Sequence, residues 1–370
     1  MNSTHATVDL DDVDGLLAAD RDGLLRAASM AGAQVRATAA ALEEGELATL
    51  QSGQLPRTVI WVAGRGNAET AGTLLAAALG GSIAAPIVVV SEVPPWIGAL
   101  DVLVIAGDDS GDPALVSAAA TGVRRGARVA VIAPYEGPLR DATAGRSVAL
   151  PPRLPVRDDF GLVRFVAAGL AVLQVVDPGL RVDLGSMADE LDAEAFRNSA
   201  GHELFTNPAK SLAERMSDRD VVLAGDNAAT LALARHAAAV LLRIAHTPVC
   251  AVGLADTLVA LRAGMGSAAG TDGAQSIFHD EEIDGPQPRR VRTLVLTTDS
   301  EMPVVAARVG GLDGVDVVSA GDIPATPDAL PTGDVPAAVG SPVFGRPELQ
   351  LTMLTVRIEM AAVYLRLVRG

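Results

Sequence analysis

Arg57-Thr-Val-Ile-Trp-Val-Ala-Gly64 runs directly into Arg65-Gly-Asn-Ala-Glu-Thr-Ala-Gly-Thr-Leu-Leu-Ala-Ala-Ala-Leu79. The first segment is short, β-branched and apolar without alternation, which predicts a strand covered on both faces. The second predicts a helix over Asn67–Leu79, entered through two glycines. A buried strand leading through glycine into a helix is half of a parallel βαβ unit.

Similar strands follow outward from this stretch: Pro86–Ser91 (PIVVVS), Asp101–Gly107 (DVLVIAG) and Arg128–Pro134 (RVAVIAP), with a helix over Pro113–Arg125. Alternation of this kind predicts a doubly wound sheet with right-handed crossovers. The Pro-rich Leu150–Val156 breaks the pattern, and a long helix, Phe160–Val176, comes next. The alternation then restarts with strand Asp220–Gly225, helix Ala228–Ala245, strand Pro248–Gly253, helix Ala255–Ala263, and strands Arg292–Thr298 and Asp316–Ala320. The fold expected is α/β, with two tandem doubly wound parallel-sheet units, each an αβα sandwich. Two helices, Val13–Ala31 and Gln34–Ser52, open the chain. The expected division is 1–52 (N-terminal helices), 53–176 (first unit), 177–325 (second unit) and 326–370, a linker and a C-terminal helix packing back on the core.

Bulk composition narrows the function. Over 370 residues, 49% are hydrophobic and 20% charged, a globular balance. Apolar stretches are interrupted before the roughly 18 residues a membrane span needs. The net charge of −16 works against nucleic acid and acidic membranes, which bind through Lys/Arg. Two Trp, two Tyr and six Phe leave little to stack bases on. Met1–Asp14 has neither a basic nor an apolar leader region, and one cysteine, Cys250, precludes an internal disulfide. A cytoplasmic location is expected, with no nucleic acid and no membrane as partner. Arginine supplies the positive charge apart from a single lysine, Lys210.

Chemistry in such sheets sits where strands end and helices begin. Gly64-Arg65-Gly66-Asn67-Ala68-Glu69 offers close backbone approach, either as a plain strand–helix turn or as a sugar-ligand loop. A dinucleotide fingerprint would need glycine at Glu69. Gly107-Asp108-Asp109-Ser110-Gly111-Asp112-Pro113 places an N-cap, Asp112, before proline. Its carboxylates oppose a phosphate: each close like-charge pair costs up to about 4 kcal/mol at an effective dielectric near 20. A bridging cation or an uncharged ligand would suit this loop better. His202-Glu203 and His279-Asp280-Glu281-Glu282 are expected on the surface. His236 and His246, ten residues apart, do not share a helix face. No zinc spacing, Walker loop or nucleophile elbow occurs.

Leu154-Pro155-Val156-Arg157-Asp158-Asp159-Phe160-Gly161, Asn207-Pro208-Ala209-Lys210-Ser211-Leu212-Ala213 and Ala362-Val363-Tyr364-Leu365, taken with the element order, resemble the bifunctional phosphoglucose/phosphomannose isomerases, built of two sugar-isomerase (SIS) units. The resemblance runs from about residue 50 to the C-terminus. It implies a homodimer that binds a small sugar derivative and interconverts aldose and ketose 6-phosphates through a cis-enediol, without metal or cofactor. The family's glycine loop, Gly-Met-Gly-Gly-Ser, falls on Gly64, Arg65, Gly66, Asn67 and Ala68. Its phosphate loop, Ser-Tyr-Ser-Gly-Asn-Thr, falls on residues 108–113, where Ser110 and Gly111 persist and Asp112 replaces asparagine. The ligand-binding candidates are therefore Gly64, Gly66, Asn67, Ser110, Gly111 and Asp112, and the catalytic candidate is Arg157, matching the enediol-stabilising arginine. The family's basic Glu falls near Leu242, and no Glu occurs between Glu214 and Glu281. Its ring-opening His has no counterpart over Val249–Gly264. Losing a general base commonly costs about 10²–10⁴-fold. The expectation is a sugar-derivative binding protein with weakened or lost isomerase chemistry. The alternative is an active isomerase with a base from Glu203 or Asp280–Glu282.

Overall fold

A computed structural model describes residues 8–266, 290–322 and 345–369. Two parallel sheets carry the architecture. The first has the order β2-β1-β3-β4-β5, with β1 Val59–Ala63, β2 Ile87–Val90, β3 Val102–Ala106, β4 Arg128–Ile132 and β5 Val148–Ala149. The second has the order β7-β6-β8-β9, with β6 Asp220–Gly225, β7 Cys250–Gly253, β8 Val291–Leu296 and β9 Val315–Val318. In each sheet the chain steps outward by one strand and then crosses back, so the order reverses between β1 and β3 and again between β6 and β8.

Strand alternation sorts the side chains into layers. In the first sheet Val59, Trp61, Val102 and Val104 face the inner core. Ile60, Val62, Leu103 and Ile105 face outward, onto α5 (Pro113–Arg125) and α6 (Gly137–Thr143). In the second sheet Val221, Leu223, Leu294 and Leu296 face the same inner core. Ala224 and Val295 face α11 (Leu254–Arg262) and α12 (Met302–Val309). One inner helical layer therefore serves both sheets. The two αβα sandwiches share their middle.

That layer contains α4 (Asn67–Leu79), α7 (Leu162–Val176), α10 (Ala228–Ala245) and α13 (Pro347–Arg369). Every residue from Leu349 to Leu365 on α13 is buried. Two of these are charged. Arg357 Nε donates to Glu194 Oε1 at 2.8 Å, and its Nη1 reaches the Ser319 carbonyl at 2.8 Å. Burial raises the Glu194 carboxyl, but Arg357, Asn198 and Arg197 outweigh it and hold the group below the usual carboxylate value. Glu359 faces His236 instead, at 3.0 Å. α10 is apolar enough to span a bilayer by composition, yet it packs inside the protein against α4 and α13.

Trp61 shows how tightly the layer closes on the sheet. A Cβ added at Gly72 of α4 would lie 2.5 Å from the indole, and one at Gly169 of α7 would lie 2.9 Å from it and 2.3 Å from Leu75. The indole N–H donates to the Ala68 carbonyl at 2.9 Å.

The Asn-Pro-Ala-Lys segment is a buried polar knot at the start of α9 (Pro208–Met216). Asn207 caps the helix through Lys210 N at 3.0 Å and donates to the Ser199 carbonyl at 2.9 Å. The Lys210 ammonium, fully buried, donates to the carbonyls of Ala200 and His202 at 2.9 and 2.7 Å. It sits 5.7 Å from the centre of the Tyr364 ring. The Tyr364 hydroxyl donates to the Asn198 carbonyl at 2.7 Å.

The N-terminal region departs from expectation. In place of two long helices there are α1 (Val13–Ala19), α2 (Leu24–Ala28) and α3 (Ala31–Glu43), with a 3-10 turn at Ala48–Leu50. The Asp20 carboxylate accepts from Leu24 N and Leu25 N, and Gly23 turns left-handed at φ +64°, which ends one helix and begins the next. The long helix expected from Phe160 begins at Leu162, after a 3-10 turn over Asp158–Phe160. The sequence reading passed over α8 (Leu184–Arg197) and α12. Most of the expected Pro-rich linker and the His279–Glu282 run lie outside the described residues.

Gly169→Ala should lower stability by about 1–3 kcal/mol in denaturant titration, because the methyl group overpacks Trp61 and Leu75. A stability unchanged within about 0.3 kcal/mol would show that the helix layer yields at this point.

Candidate functional site

The order reversal between β1 and β3 opens a crevice at the carboxyl ends of those strands, the usual ligand position in open α/β sheets. Gly64 N donates to the Ala106 carbonyl at 2.8 Å, which fixes the first loop against the third strand. A Cβ on Gly64 would stand 4.0 Å from Asp112 Oδ2. Gly66 has φ +79° and ψ −128°, a conformation that favours glycine, and a Cβ there would meet nothing within 4 Å. The two predicted loops do line one crevice.

Within it the predicted residues divide by task. Asp112 caps α5, accepting from Ala114 N at 2.8 Å. Gly111 N donates to Asp109 Oδ1 at 2.7 Å, which tightens the turn that carries Ser110. Asn67 is buried and donates to the Asp158 carbonyl, tying the glycine loop to the 157–160 segment. Arg157 does not reach the phosphate-type loop. Its Nη2 donates to Asp159 Oδ2 at 3.1 Å, and Arg243 of α10 holds the other oxygen at 3.0 Å.

The residue that does reach the loop is Arg164, in the first turn of α7. Its Nη2 donates to Asp108 Oδ1 at 2.7 Å, and its guanidinium lies 4.0 Å from the Phe165 ring centre. Nη1 is buried without a hydrogen-bond partner among the described residues. It borders a cavity of about 20 Å³ shared with Gln34, Thr38 and Arg153, large enough for one water. Burial pushes the Asp108 carboxyl above its ordinary value; Arg164 pulls it back in part, and Asp158 adds to the rise. Burial likewise lowers the Arg164 guanidinium. Sequence reading missed Arg164, although a signal was present: it is the one charged residue of α7.

Acid–base groups are placed unevenly. Leu242, near which the family's basic Glu falls, is 55% exposed on α10. His236 and Glu359 form a hydrogen-bonded pair, but both are sealed in the helix layer. Burial raises the Glu359 carboxyl, and His236 and Arg243 only partly offset this. Glu203 is exposed, and His202 packs edge-on against Phe196 at 5.1 Å. His246 is an exposed residue ending α10 in the left-handed conformation.

The second sheet repeats the pattern. Asp109-Ser110 and Pro113 after β3 correspond to Asp299-Ser300 and Pro303 after β8. Where Arg164 at the start of α7 meets Asp108, Gln350 at the start of α13 meets Asp299 at 3.1 Å. The crevice between β6 and β8 is bridged by Asn227, whose amide donates to Glu301 at 2.8 and 2.6 Å.

Solved structures repeat this architecture. A candidate phosphosugar isomerase from Clostridium difficile superposes with a TM-score of 0.61 at 12% identity, covering 94% of this chain and 93% of its own. The tagatose-6-phosphate ketose/aldose isomerase of Escherichia coli gives 0.57 at 15% identity, covering 99% and 94%. The chain has the tandem SIS fold. The C-terminal domain of glucosamine-fructose-6-phosphate aminotransferase from Francisella tularensis shares it, with a TM-score of 0.56 at 12% identity over 95% and 98%. No family model and no curated protein matches the chain by sequence. At these identities the SIS likeness is one of fold.

Arg164→Met should raise the Asp108 carboxyl further, because a nearby cation that favours the ionised form is removed. The unfolded carboxyl titrates near pH 4, so a higher folded value makes the folded state hold the proton more tightly. Stability of the variant should then fall more steeply than that of the parent as pH rises from about 4 through the raised value. Denaturant midpoints across that range check the slope, and parallel curves would remove Arg164 as the partner that matters.

Proposed function

We propose that this chain is an SIS-type carbohydrate-derivative binding protein, similar to the phosphoglucose/phosphomannose isomerases, whose aldose–ketose isomerase chemistry is weakened or lost. One observation carries the reading. The carboxylate beside Arg157 is Asp159, and both of its oxygens are held by arginines. A carboxylate with one oxygen hydrogen-bonded to one guanidinium and the other ion-paired to a second is committed to holding the 157–160 segment against α10. The only imidazole–carboxylate hydrogen bond among the described residues, His236–Glu359, is closed to a ligand by burial. What supports ligand binding is the open space over Gly66, with Gly64 beside Asp112, at the switch point. The same reading takes the protein as a cytoplasmic homodimer that requires no metal or cofactor, with SIS units over 53–176 and 177–325.

A coupled assay with fructose 6-phosphate and mannose 6-phosphate should show no turnover above buffer, and Arg157→Ala should leave that result unchanged. Turnover that Arg157→Ala abolishes would restore the isomerase. A sugar present at about 100 times its Kd should add about 2.7 kcal/mol of stability in the same preparation.

A further inference from the structure

The donors and acceptors of the β1/β3 crevice define which sugar derivative fits. Residues 64–69, 107–112 and 157–164 bring six carboxylates (Glu69, Asp108, Asp109, Asp112, Asp158 and Asp159) and three guanidiniums (Arg65, Arg157 and Arg164) to this end of the sheet. Two of the guanidiniums are already engaged, Arg164 by Asp108 and Arg157 by Asp159, and Arg243 of α10 adds a fourth cation at Asp159. Backbone N–H groups that would serve a phosphate are engaged as well: Gly111 N by Asp109 and Ala114 N by Asp112. At the N-terminus of α4 no side chain caps the helix, but Glu69 in the first turn supplies the negative charge the dipole favours. A phosphate dianion would enter a crevice where, of these guanidiniums, only that of Arg65 has no carboxylate partner among the described residues, and whose excess negative charge repels it.

The remaining valences ask for the opposite kind of group. Carboxylates only accept hydrogen bonds, so their excess here asks for donors from a ligand. A hydroxyl group offers both a donor and an acceptor on one atom, and an ammonium group adds a charge of the matching sign. Space exists over Gly66, where a Cβ would touch nothing.

We propose that the ligand of this crevice is an uncharged or amine-bearing polyol and not a phosphate ester. The proposal rests on the carbohydrate-binding reading above and narrows it.

Titration calorimetry of the full chain with glucose, glucosamine, glucose 6-phosphate and glucosamine 6-phosphate tests it. Each unphosphorylated sugar should bind at least tenfold tighter than its phosphate ester, with glucosamine at or above glucose. Asp109→Asn, an exposed change that keeps the acceptor oxygen of the turn, should strengthen binding of glucose 6-phosphate at least threefold relative to binding of glucose. Phosphate esters binding as tightly as the free sugars, in parent and variant alike, would overturn the proposal while leaving the carbohydrate reading intact. Binding by none of the four would overturn that reading, and the proposal with it.

Discussion

A helix with no solvent face must be enclosed by neighbours, and α13 imposes that requirement on the rest of the molecule. Arg357 and Glu359 stand two positions apart, about 200° around the helix, so they point in nearly opposite directions. Each would cost several kcal/mol to bury alone. Glu194 of α8 answers one through an ion pair and His236 of α10 the other through a buried hydrogen bond, so both helices are located by polar as well as by apolar contact. α10 in turn packs against α4, the helix that leaves the first sheet. The two sheets are held in register through one buried rod.

That arrangement also shapes the crevice chemistry. α10 lies against the 157–160 segment, and its Arg243 meets Asp159 there. The carboxylate nearest Arg157 is therefore engaged from both sides by the packing that joins the units. At the neighbouring loop Arg164 engages Asp108 in the same manner. Groups that could do acid–base work are consumed in cohesion, and the glycine loop between them stays open.

Much of the fold could be read directly. Helices Asn67–Leu79, Pro113–Arg125 and Ala228–Ala245 and strand Asp220–Gly225 have the limits that apolar runs and caps suggest, because those signals are local. The α8 pattern was present too, with Asp183 as cap and Leu184, Met187, Ala188 and Leu191 on one face. The break at Asp20–Gly23 shows a local cap overriding a longer apolar period. The site was legible only in part. Gly64, Gly66 and Asp112 lie at strand ends, where position alone implies a role. Arg164 with Asp108, Asn67 with Asp158, and His236 with Glu359 are separated by 56, 91 and 123 residues, so their pairing exists only after folding. The Asn-Pro-Ala-Lys segment, which carried part of the family resemblance, is a buried brace.

That brace encloses the single lysine of the chain. Side-chain labelling by amine-reactive reagents, cross-linkers or lysine-directed tagging enzymes needs an accessible ε-amino group, and the folded protein presents none. Only a molecule that has opened the Asn198–His202 turn can be marked at Lys210. Side-chain acylation would thus count unfolded copies in a mixture, with no probe introduced from outside.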